Sequence, residues 1–141
     1  MNEEQATVEE KAKDPLEFIY ALEGAPDKKQ IDDWKVKFGA VYFSGFSEEE
    51  IFIWRAITRA EYKKLQIESQ KIAEMKDQVE AANAQMTSEE SIVAMCLLWP
   101  KKTVEELVAD KGGTVPTLLE QIMQNSNFMS PQQASMLVVK L

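Results

Sequence analysis

The side chains best able to do chemistry in this sequence are a single cysteine, Cys96, and several runs of carboxylates. Cys96 lies in an apolar stretch, and the chain has no histidine that could activate its thiol. The lack of histidine also removes the commonest general base and the commonest metal ligand. A structural zinc site needs four cysteine or histidine ligands, and Cys96 is the one such residue in the chain. We therefore interpret Cys96 as a buried structural thiol.

The carboxylates and glycines give no better case for catalysis. Glu48, Glu49 and Glu50 are adjacent, so their side chains point in different directions on either a strand or a helix, and we interpret them as a solubilising turn. No glycine-rich phosphate-binding motif occurs, and the chain has five glycines in all. These patterns predict a non-enzymatic protein with no cofactor and no metal.

Charge and hydropathy narrow the range of partners. The formal net charge is −8, which would repel a phosphate backbone, so no nucleic-acid partner is expected. No apolar run approaches the roughly 20 residues that would span a bilayer, and the acidic, polar start does not resemble a secretory signal. The sequence predicts a protein that is made in a cytoplasm and has no membrane partner.

Arg55 has an unusual setting, because it interrupts an otherwise apolar run. One interpretation is a salt bridge on the open face of a β-hairpin. The other is an anchor for an acidic segment of a partner, with Trp54 and Tyr62 as neighbouring aromatic surface. The sequence leaves both interpretations open.

The elements that would position these residues belong to an α+β, mostly α, fold. Residues 1–14 are acidic with little to bury, and we expect a flexible arm. Residues 15–141 are predicted to form a single mostly helical domain with a β-hairpin near 40–56, because aromatic and β-branched residues cluster there. An alternative starts a helix at Ser47, with Glu50 as capping partner, so residues 47–57 remain open between strand and helix.

One long helix is predicted after the hairpin. Thr58 and Glu61 form a capping box, and no glycine or proline follows until after Asn83. Apolar residues recur along this stretch in a narrow seam like that of a short coiled coil. We expect the seam to contact a partner chain through Leu65, Ile72, Met75, Val79 and Met86.

A compact cluster of short helices is predicted for the last third. Three capping pairs indicate their starts, namely Thr87 with Glu90, Thr103 with Glu106, and Ser130 with Gln133. The apolar run 91–99 is predicted to be a buried helix that stops before Pro100. Residues 136–141 are almost all apolar, so we expect them to pack in the core or to bind a neighbour through Leu137, Val139 and Leu141.

Residues of about 30–130 resemble small proteins from the tail modules of contractile tailed bacteriophages. The resemblance is carried by IDDWKVKFGAVYFSGFSEEEIFIWRAITRAEYKKL and by EESIVAMCLLWP followed by GTVPTLLEQIMQNSNF. It implies a non-enzymatic tail or baseplate structural protein, or a tail assembly chaperone that binds the tape-measure protein. The implied partners are other phage tail proteins or further copies of the chain, in the host cytoplasm during assembly or in the virion tail. From another class, the −8 charge also suits a small acidic inhibitor of a host nucleic-acid enzyme.

Overall fold

A three-stranded antiparallel sheet with helices on both faces organises the fold. The computed structural model describes residues 16–141, so the predicted arm 1–14 lies outside the described residues. About 56% of the structure is helical, which confirms the α+β, mostly α, class. In chain order the elements are α1 (Glu17–Tyr20), α2 (Lys28–Phe38), β1 (Val41–Gly45), β2 (Ile51–Arg55), α3 (Arg59–Ala73), α4 (Gln78–Cys96), β3 (Leu97–Trp99), α5 (Val104–Val108), α6 (Thr114–Asn125) and α7 (Pro131–Ser135).

The predicted β-hairpin is formed by β1 and β2, which pair from Val41 opposite Arg55 to Gly45 opposite Ile51. The alternative helix from Ser47 does not form. The hydroxyl of Ser47 accepts hydrogen bonds from the backbone N–H groups of Glu49 and Glu50. A side-chain oxygen that binds backbone N–H groups two and three residues ahead serves a turn as well as a helix start, and here it stabilises the turn between the strands.

Strand β2 is the middle strand and is buried on both faces, because the sheet order is β1-β2-β3. Its side chains alternate between two hydrophobic cores, as the pleat of a strand requires. Phe52 and Trp54 belong to the larger core, which also contains Val93, Cys96, Leu97, Leu107, Leu118 and Ile122. Ile51 and Ile53 belong to the smaller core, with Ile19, Ile31 and Leu98. Two-sided burial explains why four consecutive residues of β2 are apolar.

The predicted single long helix is wrong, because the structure divides it into α3 and α4. The Thr58–Glu61 capping box starts α3 as expected. Helix α3 ends at Ala73, and Asp77 then caps a new helix by accepting hydrogen bonds from the N–H groups of Val79 and Glu80. The residues on both sides of the break have high helix propensity, so the sequence pattern did not indicate it. The break forms because the Asp77 side chain can cap a new helix, which gives the backbone an alternative to continuing the first one.

The predicted helix start at Thr87 is also wrong, whereas the starts after Thr103 and Ser130 are confirmed by complete capping boxes. Thr87 lies inside α4, which had already begun at Gln78. Its carbonyl there accepts a hydrogen bond from the Ser91 hydroxyl at 2.9 Å. A capping pattern has no effect where the preceding turn is already helical.

The end of the apolar run 91–99 differs from its predicted helix. Helix α4 ends at Cys96, and Leu97–Trp99 form β3 against β2. Pairing places Leu97 in the larger core and Leu98 in the smaller one, which a helix could not do for adjacent residues. None of the helices between residues 16 and 141 has the length and hydropathy needed to cross a bilayer.

Candidate protein-binding surface

Arg55 is held within the chain by Glu61, in the first turn of α3. Its Nη1 and Nη2 atoms donate to the two carboxylate oxygens of Glu61 at 2.8 and 2.9 Å. The side chains are 12% and 24% exposed, so the pair is largely withdrawn from water. The hydrogen bonds from Arg55 lower the pKa of Glu61 to about 2, and the carboxylate in turn raises the pKa of Arg55. Of the two interpretations of Arg55, the salt bridge is the one seen, but it is largely buried and does not lie on an open face of the hairpin. The two parallel hydrogen bonds to Glu61 leave little of the guanidinium for a partner.

The aromatic neighbours of Arg55 do not form the exposed surface that the second interpretation required. Trp54 is 2% exposed, stacks on Tyr42 at 4.7 Å between ring centroids, and donates from Nε1 to the Ser44 hydroxyl. Tyr62 is half-buried and lies 4.8 Å from the ring of Phe128. Describing Trp54 as surface was therefore wrong for this chain. The sequence alone could not show that β2 has helices on both faces.

The seam residues lie on two helices and do not form one stripe. Leu65 and Ile72 of α3 are half-buried, and Leu65 packs against the larger core. Ile72 and Met75 line a groove of about 430 Å³ between α3 and α4. Val79 and Met86 on α4 are 71% and 61% exposed, but Met86 lines a different groove, beside α5. The turn between the helices thus separates residues that the heptad pattern had joined.

Residues 136–141 form the most exposed apolar segment among the described residues. Five of the six are apolar, with exposed fractions of 67% at the lowest and essentially complete exposure at Leu141. They do not pack in either core, which excludes one of the two predicted outcomes within this chain. Leu137, Val139 and Leu141, identified from the sequence, are all in this segment.

A shallow apolar groove lies where this segment leaves α7. Its volume is about 310 Å³, and its lining includes Phe128, Met129, Met136 and Leu137. Met129 is 42% exposed. The groove connects the segment to the C-terminal end of α6, so the exposed apolar surface extends beyond residues 136–141.

The outer edge of β1 is a further surface that the sequence interpretation missed. A groove of about 570 Å³ lies along β1 and is bounded on its other side by Gln121 and Asn125 of α6. Phe43, on this strand, is 44% exposed. The only sequence signal was the absence of lysine and proline from VYFSG, because edge strands usually carry such residues to prevent pairing.

Cys96 is fully buried, as predicted, and burial raises the pKa of its thiol to about 11. Such a thiol is protonated at neutral pH and is a poor nucleophile. Within residues 16–141 no three carboxylate or thiol side chains converge in a way that could hold a metal ion. No protein-family model, curated protein or solved structure matches the chain.

Proposed function

We propose that this chain is a non-enzymatic structural protein of a phage tail or baseplate that acts by contact with other proteins through residues 136–141. The observation that carries the proposal is the exposure of five apolar side chains in this segment, each by two thirds or more. Exposed apolar surface of this kind is uncommon on isolated domains and marks interaction sites. The likeness of residues 30–130 to tail-module proteins supplies the biological setting.

The apolar character of the segment favours a lasting contact. Interfaces that stay assembled are more apolar than transient ones, whereas a chaperone must release its client. Lys140 has the one charged side chain in this segment, so little desolvation of ionic side chains would oppose burial. These points support a structural component over a tail assembly chaperone that binds the tape-measure protein.

The test is mass spectrometry of purified virions from a phage that encodes the chain, combined with affinity purification from infected cells. We expect stoichiometric amounts in the virion and co-purification of other tail proteins. Val139→Asp should abolish that co-purification, whereas Val36→Asp, which changes a valine on α2 that is at least as exposed, should not. Absence from virions together with recovery of the tape-measure protein would instead identify a chaperone. Recovery of a host nucleic-acid enzyme without tail proteins would identify an inhibitor and overturn the proposal.

A further inference from the structure

The two edges of the sheet differ in how they are protected from pairing. Strand β3 has three residues and is followed at once by Pro100, which lacks a backbone N–H. A short edge strand ending at a proline is a poor template for another strand. Strand β1 has five residues and contains neither lysine nor proline. Both β1 and β3 are edge strands, and β3 is the poorer template for an added strand.

The alternation of hydrogen bonds in the hairpin determines which backbone N–H and C=O groups of β1 point away from β2. The N–H of Phe46 donates to the carbonyl of Glu50 at 2.9 Å, beside the turn. Hydrogen-bonded pairs alternate in an antiparallel ladder, so Ser44 and Tyr42 bond inward to β2. The N–H and C=O groups of Val41, Phe43 and Gly45 consequently point away from β2. No segment between residues 16 and 141 adds a strand beside them.

A groove of about 570 Å³ adjoins this edge. It follows β1 along its length, and Gln121 and Asn125 of α6 bound its other side. The hydroxyl of Ser44 receives the indole N–H of Trp54 at 2.8 Å and bonds to the amide oxygen of Gln121. These two hydrogen bonds link β1, β2 and α6 beside the groove. The chain's own residues 136–141 do not line it.

Residues 138–141 could serve as a strand, whereas Met136 and Leu137 form the turn that ends α7 and donate to the carbonyls of Gln133 and Ala134. Val138 to Leu141 belong to no helix or sheet, and two of these four residues are β-branched valines. In an extended conformation Val139 and Leu141 would lie on one side. At about 3.3 Å per residue these four residues span roughly 13 Å, and the five residues of β1 span roughly 17 Å. The segment is therefore long enough to pair with most of β1.

We propose that residues 138–141 of one copy add to the open edge of β1 in a second copy as a fourth strand. The inference deepens the proposed function by naming the partner, and it rests on the claim that this segment is an interface. Backbone hydrogen bonds supply the affinity and the apolar side chains supply the register, as in other cases of strand addition. Donor and acceptor surfaces differ, so the contact either is exchanged reciprocally in a closed dimer or repeats head-to-tail into larger rings or filaments. Because each copy carries a net charge of −8, added salt strengthens it.

Cysteine cross-linking between two variants of the full chain tests this contact. Phe43→Cys protein is mixed with Val139→Cys protein and treated with a short bismaleimide. We expect cross-linked dimers in the mixture and far fewer with either variant alone. Val36→Cys mixed with Val139→Cys is the matched control, since Val36 is 88% exposed but lies on α2. Cys96 is fully buried and should not react. Equal cross-linking in the control mixture would overturn the proposal.

Light scattering after size-exclusion chromatography gives an independent measurement. Phe43→Lys on the edge and Val139→Asp on the segment should each weaken self-association about tenfold or more, whereas Val36→Asp should not. Unchanged circular dichroism would show that the variants fold. A wild-type chain that stays monomeric at high concentration and high salt would refute the proposal. If Val139→Asp abolishes co-purification of tail proteins but no Phe43–Val139 cross-link forms, the proposed function stands and self-association is refuted. If the cross-link forms but no tail proteins co-purify, self-association stands and the proposed function is refuted.

Discussion

Arg55 is a charge placed among apolar neighbours, and its contacts explain how the fold tolerates it. Besides Glu61, its guanidinium lies 5.0 Å from the ring centroid of Phe38 and donates to the carbonyl of Ala56 at 3.1 Å. The end of β2 is thereby linked to α2 and α3. A largely buried guanidinium needs such a full set of partners, because an unpaired one would cost several kcal/mol. Arg55 therefore stabilises the fold.

The Arg55–Glu61 pair leads to a prediction about pH. Glu61 has a folded-state pKa of about 2 against an ordinary 4.5, so its contribution is complete above pH 4.5. The contribution declines as pH falls from about 4.5 to 2 and is absent below. Glu61→Gln should reduce the free energy of unfolding at pH 7 by about 1.5–3 kcal/mol and should flatten the decline in this acidic range.

Urea denaturation followed by circular dichroism at several pH values checks this prediction. Glutamine keeps an oxygen that can accept from the Thr58 N–H, so the capping box should survive and the loss can be assigned to the charge. Glu68→Gln, on the exposed face of α3, is the control and should change stability at pH 7 by less than about 0.5 kcal/mol. An equal loss in both variants would contradict the prediction.

Among the elements, α3 and α4 show how a few residues decide between one helix and two. Three residues, Glu74, Met75 and Lys76, separate Ala73 from the capping residue Asp77. The break lets α4 reverse direction and carry Val93 and Cys96 into the larger core. An unbroken helix of this length would take those side chains away from the sheet. Tertiary burial therefore favours the break over uninterrupted helical propensity.

Asp77→Ala should destabilise the protein by about 1 kcal/mol, because the N–H groups of Val79 and Glu80 would lose their acceptor. The change in the midpoint of urea denaturation measures the effect. Gln85→Ala, at an exposed position within α4, is the control and should be neutral or slightly stabilising. If Asp77→Ala stabilised the protein, the cap would not be what starts α4.

For the molecule as a whole, β2 is shared by both hydrophobic cores. The smaller core has five buried residues, two of which, Ile51 and Ile53, come from this strand. So small a core has little stability without the sheet that carries it. The two cores should therefore unfold together.

Ile31→Ala in the smaller core and Leu118→Ala in the larger core test that coupling. Each should cost about 2–5 kcal/mol and leave one transition. Coincident unfolding curves from tryptophan fluorescence and circular dichroism would show a single transition. Fluorescence reports on both cores, because Trp34 packs against the smaller core and Trp54 belongs to the larger one. Val36→Ala is the exposed control. A separate early transition in Ile31→Ala would show that the cores are independent.

The sequence by itself determined the fold class, the hairpin, three of the four predicted capping boxes and the burial of Cys96, because each depends on local pattern or on hydropathy. It also located the apolar segment 136–141. The tertiary structure decided where the long helix breaks, that Leu97–Trp99 form a strand, and that Trp54 is buried. These three features depend on which surfaces are covered by other helices and strands, and local secondary-structure propensity is too weak to determine that packing. The open edge of β1 likewise became visible only once the strand order was known.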